Sequence, residues 1–248
     1  MLLPPFLALN PAPNYTEYVS ILNFDSPDFV FTQLKELPHI LYSSFCALDW
    51  NVLTVSTKPF DFSQLHHFQS LLFQGERGTI VTPLCSMDGD ARFDMSTVDL
   101  DNIPKINPPK KRELRWDEPP WKLYDLFKYD LRRKITPTLK KGKLRYEDYT
   151  RWREELEKYC TIHTLYYPLG FFNYMHWLFL MKTDYDISFL FQDWYASCIF
   201  TTINDYVLAL IPVKGKPYQR EFLASFQQVQ TQLGIDVCYR SILLDHLY

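Results

Sequence analysis

Leu37-Pro38-His39-Ile40-Leu41-Tyr42-Ser43-Ser44-Phe45-Cys46-Ala47-Leu48 reads as an amphipathic helix. A proline in the first turn pre-sets φ and loses no helical hydrogen bond. Leu41, Phe45 and Leu48 then recur at helical spacing and form an apolar stripe. Such a stripe either buries internally or docks in the groove of a partner. Upstream, Ser26-Pro27-Asp28 looks like a helix start, with a capping serine followed by proline. Residues 1–25 are rich in proline and read as an extended arm, packed through Phe6, Tyr15 and Tyr18.

Downstream, Asn51–Thr57 is β-branched and alternating, which predicts a strand. Ser63–Phe73 returns to helical spacing, and Thr79–Leu84 reads as a second short strand. Residues 86–120 carry Met87-Asp88-Gly89-Asp90 and then Pro104, Pro108, Pro109, Pro119 and Pro120. Proline pairs favour extended polyproline geometry, so this stretch reads as a linker. The second half reads as helical: Trp121–Ile135, Leu144–His163, Phe171–Met181, Ile187–Asp205, Gln219–Leu233 and Val237–Leu247. Leu144–His163 carries the clearest pattern, with Tyr149, Trp152, Leu156, Tyr159 and His163 along one face. The short run Tyr206–Val213 is open between helix and strand. The expected fold is therefore mainly α with a few short β-strands, α+β being the alternative. Two unequal lobes are expected: residues 1–85 with the Leu-Pro-x-x-Leu helix and residues 121–248 as a helical region, joined by the basic, proline-rich segment 86–120.

Composition narrows the function classes. Aromatic residues make up 17% of the 248, which argues against disorder over most of the chain. Only 7 glycines are present, too few for a glycine-rich nucleotide fold. The formal net charge of -3 does not point globally to nucleic acid or to an anionic membrane. The 5 cysteines are scattered without a Cys-x-x-Cys pair, so reduced thiols are expected. The apolar start lacks a basic residue and is broken by Pro4 and Pro5, unlike a signal peptide. Tyr166–Met181 is too short to span a bilayer comfortably.

No catalytic or metal-binding constellation is legible, and no cofactor is expected. On the expected helix Cys160 and His163 lie one turn apart, but on its apolar stripe, where buried cysteine and a core histidine are the default. Adjacent His66 and His67 diverge on a helix. Asp88-Gly89-Asp90 resembles half of a calcium loop without its closing glutamate. The chemistry-bearing feature is instead a basic run from Lys110 to Arg145, which holds half of the chain's 26 lysines and arginines. Lys110, Lys111, Arg112, Arg132, Arg133, Lys134, Lys140, Lys141 and Lys143 are candidate phosphate or RNA contacts. Trp116, Trp121 and Tyr124, interleaved among them, are candidate stacking platforms.

Leu37-Pro38-x-x-Leu41, with apolar Phe45 and Leu48 behind it and Pro59 further on, resembles the minimal F-box motif. The spacing from Leu41 to Pro59 is longer than that motif usually shows. Further stretches extend the likeness: Leu65-His66 to Leu72, the helix through Leu144-Arg145, Tyr149, Leu156 and His163, then Pro168-Leu169-Gly170-Phe171, and Ile211-Pro212-Val213 up to Tyr218. In order and spacing these resemble the P-zero RNA silencing suppressors of poleroviruses and related plant viruses, over roughly Leu34–Tyr218. The resemblance implies a non-enzymatic, F-box-like viral adaptor that links the Skp adaptor of a host SCF ubiquitin ligase to Argonaute and promotes its degradation. It implies Leu37, Pro38, Leu41 and Pro59 as Skp-adaptor-binding residues, with action in the host cytoplasm, nucleus or at a membrane. No tryptophan is followed by glycine, so a Trp-Gly hook for Argonaute is excluded. An RNA-binding suppressor using segment 110–145 and a viral structural or accessory protein are the alternatives.

Overall fold

In the computed structural model, residues 1–34, 36–86, 102–107 and 110–247 are described. Eight strands close into an antiparallel barrel. In chain order the elements are β1 (Phe6–Leu9), β2 (Tyr18–Phe24), α1 (Pro27–Leu34), β3 (Ile40–Leu48), β4 (Val52–Ser56), β5 (Phe68–Val81), α2 (Glu118–Phe127), α3 (Ile135–Gly142), α4 (Tyr146–Tyr159), β6 (Cys160–His163), β7 (Met175–Lys182), β8 (Ile199–Ile203), β9 (Tyr206–Val213), α5 (Lys216–Leu233) and β10 (Asp236–Leu247). Around the barrel the order is β10-β3-β4-β2-β5-β8-β9-β7, while β1 and β6 form a separate two-stranded pair.

The expectation of a mainly α fold is overturned: strand exceeds helix, and the sheet organises the molecule. So is the expectation of two lobes, because four adjacent strands from the first half and four from the second close one barrel. β5 pairs with β8, and β3 pairs with β10. Leu37–Leu48 is a turn followed by strand β3, Phe171–Met181 ends in β7, Ile187–Asp205 contains β8, and Val237–Leu247 lies in β10.

The physical reason lies in where these runs sit. On β7, Leu178 and Leu180 point into the barrel, while Trp177, Phe179 and Met181 pack outside it. On β9 the same alternation sets Leu208 and Leu210 inward against Val207, Ala209 and Ile211 outward. A strand buried on both faces shows continuous apolarity, which a helix segment shows equally. α5 covers the outer face: Phe222, Phe226 and Val229 recur at i, i+4 and i+7, and Phe226 lies 4.9 Å from Phe179, ring to ring. Gly234, at φ 63°, ends that helix in the left-handed conformation glycine adopts at no steric cost.

The helical expectations that hold are those with one polar face. α4 keeps Trp152 and Leu156 buried while Arg153, Glu154, Glu157 and Lys158 are exposed. α2, α3 and α4 pack together around Leu123, Phe127, Leu139, Trp152 and Leu156, against the β1–β6 pair. α1 caps a third cluster through Val30 and Leu34 on Leu22, Phe24 and Val52. Of the expected linker, Met87–Asp90, Pro108 and Pro109 lie outside the described residues. Pro119 and Pro120 form the first turn of α2, where a missing N–H is harmless. Among the described residues no helix is long and apolar enough to cross a membrane.

Candidate docking rim, basic surface and barrel cavity

Leu37 and Pro38 lie in the turn between α1 and β3. Leu37 N–H donates to the Leu34 carbonyl (3.1 Å) and Ile40 N–H to that of Leu37 (3.3 Å), closing the turn. His39 takes φ 75° to make it. Thr57 N–H then donates to the His39 carbonyl (2.9 Å), and His39 Nδ1 lies 3.0 Å from Thr57 Oγ1. Because β3 and β4 are a hairpin, these bonds tie its open end and bring the Leu37–His39 turn beside the segment leading to Pro59. Pro38 and Pro59 are exposed, while Leu37 is half-buried against the α1 cluster. Three of the four residues implied for Skp docking therefore share one rim of the barrel. The fourth does not: Leu41 lines the barrel cavity, and its carbonyl accepts from the Tyr129 hydroxyl (3.1 Å). A helical docking stripe does not form, because Phe45 and Leu48 continue along β3.

The basic residues hold their exposure and lose their aromatics. Lys110, Lys111, Arg112, Arg132, Arg133, Lys134, Lys140, Lys141 and Lys143 are all exposed. Lys134, Lys140, Lys141 and Lys143 lie on α3 or its two ends. Trp116, Trp121 and Tyr124 instead pack on one another, with Trp116 5.3 Å from Trp121 and 5.7 Å from Tyr124 by ring centroids. They belong to the cluster under α2 and α4, so stacking on bases is closed to them as they stand.

The Cys160–His163 pair is also corrected. Both residues lie on β6 rather than on a helix, and an odd separation on a strand sends side chains to opposite faces. Burial pushes the Cys160 thiol up to about 12, leaving almost no thiolate at neutral pH. Burial, with Arg77 nearby, pulls His163 down to about 4.

What sequence reasoning missed is the barrel interior. One end is filled around Ile21, Trp50, Leu180 and Ile203. Towards the other end the side chains leave a cavity of about 480 Å³. Val19, Leu53, Leu178, Ile199, Leu208 and Leu210 line it, and Met1, Leu3, Pro4, Phe6, Lys128–Tyr129 and Phe171–Phe172 surround its mouth. Leu3 N–H donates to the Leu165 carbonyl (2.9 Å) and Tyr167 N–H to that of Met1 (2.8 Å), which fixes residues 1–3 across that end.

A charged pair is set in the cavity wall. Arg77 Nε donates to Glu17 Oε2 (2.6 Å), and Arg77 Nη2 donates to the Leu9 carbonyl (3.1 Å). Tyr15 donates its hydroxyl to Glu17 Oε1 (3.1 Å). Burial, the largest influence, works against the guanidinium charge, but the field and hydrogen bond of Glu17, with Tyr124 and Tyr15, together outweigh it and hold Arg77 protonated. Arg77 reaches the interior through a bulge: Arg77 pairs with Ile203, whereas Ile80 pairs with Thr201. The extra residue shifts strand parity, so Arg77 and Ile80, three apart, both line the cavity. Gly78 makes the bulge possible, since a Cβ there would sit 2.1 Å from Thr202 Oγ1. Alternation alone gives no signal for this site, because a bulge breaks the period that pattern reading uses.

No protein-family model, no curated protein and no solved structure matches the chain.

Proposed function

We propose that this chain is a viral suppressor of host RNA silencing that works as an F-box-like adaptor, binding the Skp adaptor of an SCF ubiquitin ligase and directing Argonaute to degradation. The observation that supports it is the rim. Leu37, Pro38 and Pro59, separated in sequence, are tied into one surface by the His39–Thr57 bonds. The contact is a turn rather than a helix, presented on a closed barrel, so the docking surface is pre-organised and little ordering cost opposes binding. Pull-down of purified Skp adaptor by the full chain tests it. Pro38→Ala/Pro59→Ala changes only exposed side chains, so its circular dichroism should match wild type while capture falls about tenfold or more, the loss of roughly 1.4 kcal/mol. Absent capture by wild type, or equal capture by the folded double variant, would remove the docking role.

The exposed cations of α3 favour a second reading, contact with the phosphates of duplex RNA. About six phosphate contacts would weaken binding roughly a thousandfold between about 50 and 200 mM salt. Fluorescence anisotropy of short duplex RNA should show that slope, and Lys140→Glu/Lys141→Glu should flatten it. Failure to bind even at low salt would dismiss the reading.

A further inference from the structure

The cavity serves neither the docking rim nor the basic surface. Its walls are aliphatic, contributed by strands on every side of the barrel. Eight-stranded barrels have interiors just wide enough for filling side chains or for one small ligand. Here a volume of about 480 Å³ is left unfilled, within the range of small-molecule sites. The charged side chains lining it, among the described residues, are Arg77, Lys128 and Glu17. Lys128 Nζ is already paired with Asp125 (2.9 Å), so the cation that a ligand would meet is Arg77. Arg77 adds a specific vacancy. Its Nε and Nη2 are bonded to Glu17 and Leu9, but its buried Nη1 has no hydrogen-bond partner among the described residues. A buried charged donor left unpaired is costly, and an anionic oxygen relieves that cost.

We propose that the barrel binds a single-chain aliphatic amphiphile with an anionic head. The tail lies along Leu53, Leu178, Leu208 and Leu210. The head, a carboxylate or phosphate, accepts from Arg77 Nη1 beside Glu17. The mouth, edged by Phe171 and by Phe172, the latter 88% exposed, is the entry. Nothing in this assignment depends on Skp or RNA binding.

The test is displacement of cis-parinaric acid fluorescence from the full chain, with competitors kept below their micelle concentrations. Palmitate or lysophosphatidate should displace the probe, and hexadecanol should be at least about tenfold weaker, since it lacks the charge that Arg77 would meet. Preference for palmitate identifies a free fatty acid as the source, and preference for lysophosphatidate a lipid headgroup. Leu210→Trp fills the cavity and should lower probe affinity about tenfold or more with circular dichroism unchanged. Should that variant not fold, the smaller Val55→Phe reads the same wall. Glu17→Gln/Arg77→Gln replaces the charged pair by a neutral one and should erase the preference for acid over alcohol. Absence of displacement, or probe binding unchanged in a folded cavity-filling variant, overturns the site. Equal displacement by acid and alcohol in wild type overturns the role given to Arg77.

Discussion

Glu17→Ala should lower the unfolding free energy by about 3–5 kcal/mol, the range found when one partner of a buried ion pair is removed. Both side chains of the pair are only 8% exposed, and their contact is 2.6 Å. The loss is not that of the contact itself. It is the cost of leaving the Arg77 guanidinium, only 8% exposed in the cavity wall, with no counter-charge. Tyr15 would lose its acceptor as well. Glu17→Gln/Arg77→Gln should cost clearly less than Glu17→Ala, because no charge is stranded. Urea denaturation of the three proteins measures this, with the midpoint moving at unchanged slope. A shift below about 1 kcal/mol for Glu17→Ala would mean that water reaches the guanidinium, and the pair would then be a surface ion pair in energetic terms.

Acid should unfold the chain in a window set by two histidines. His163 and His176 are 2% and 4% exposed, and burial holds each near a pKa of about 4. Arg77 adds to the effect at His163 and His246 at His176, while the Phe171 carbonyl, 2.9 Å from His176 Nε2, acts against it. Both rings are packed flat on aromatics, His163 on Phe6 and His176 on Phe171. The sign follows from the depressed folded-state values. Above the ordinary pKa of about 6.5 both states are neutral and stability is complete. As pH falls below it, the unfolded chain takes up protons that the folded chain refuses, and stability drops until pH about 4. Each histidine contributes about 3 kcal/mol to that loss, against a total stability of about 5–15 kcal/mol for a typical domain. Denaturation at pH 7.5 and pH 4.5 should show the difference, and His176→Phe should remove about half of it. A flat profile over that interval would show that both rings charge freely in the folded state.

Amphipathic elements were legible from spacing alone. α4 and α5 follow from their periodic aromatics and charged faces, and β4 from β-branched alternation, while Tyr206–Val213, which is β9, stays open between helix and strand. At Asn204-Asp205 the β8–β9 hairpin uses a positive φ of 52°, a conformation asparagine tolerates. Of the strands that pattern reading took for helix, β3, the first half of β5, β7, β8 and β10, two share one property. β7 and β8 are buried over much of both faces, so their apolar residues do not keep period two. The docking residues divide in the same way. Leu37 and Pro38 are visible as a motif, but whether Pro59 joins them depends on the β3–β4 hairpin, which a helical reading of Leu37–Leu48 does not contain.

By itself the sequence determined the local choices: where a polar face permits a helix, where prolines stop one, which residues are cationic and which thiols are unpaired. Tertiary structure alone decided the closure of the barrel, the parity shift at Gly78 and the meeting of Glu17 with Arg77 across 60 residues of chain. Those outcomes rest on pairings between strands far apart in sequence, and the energy of a strand is realised only against its neighbours. A cavity is likewise a property of the assembled walls, since no single segment encloses it.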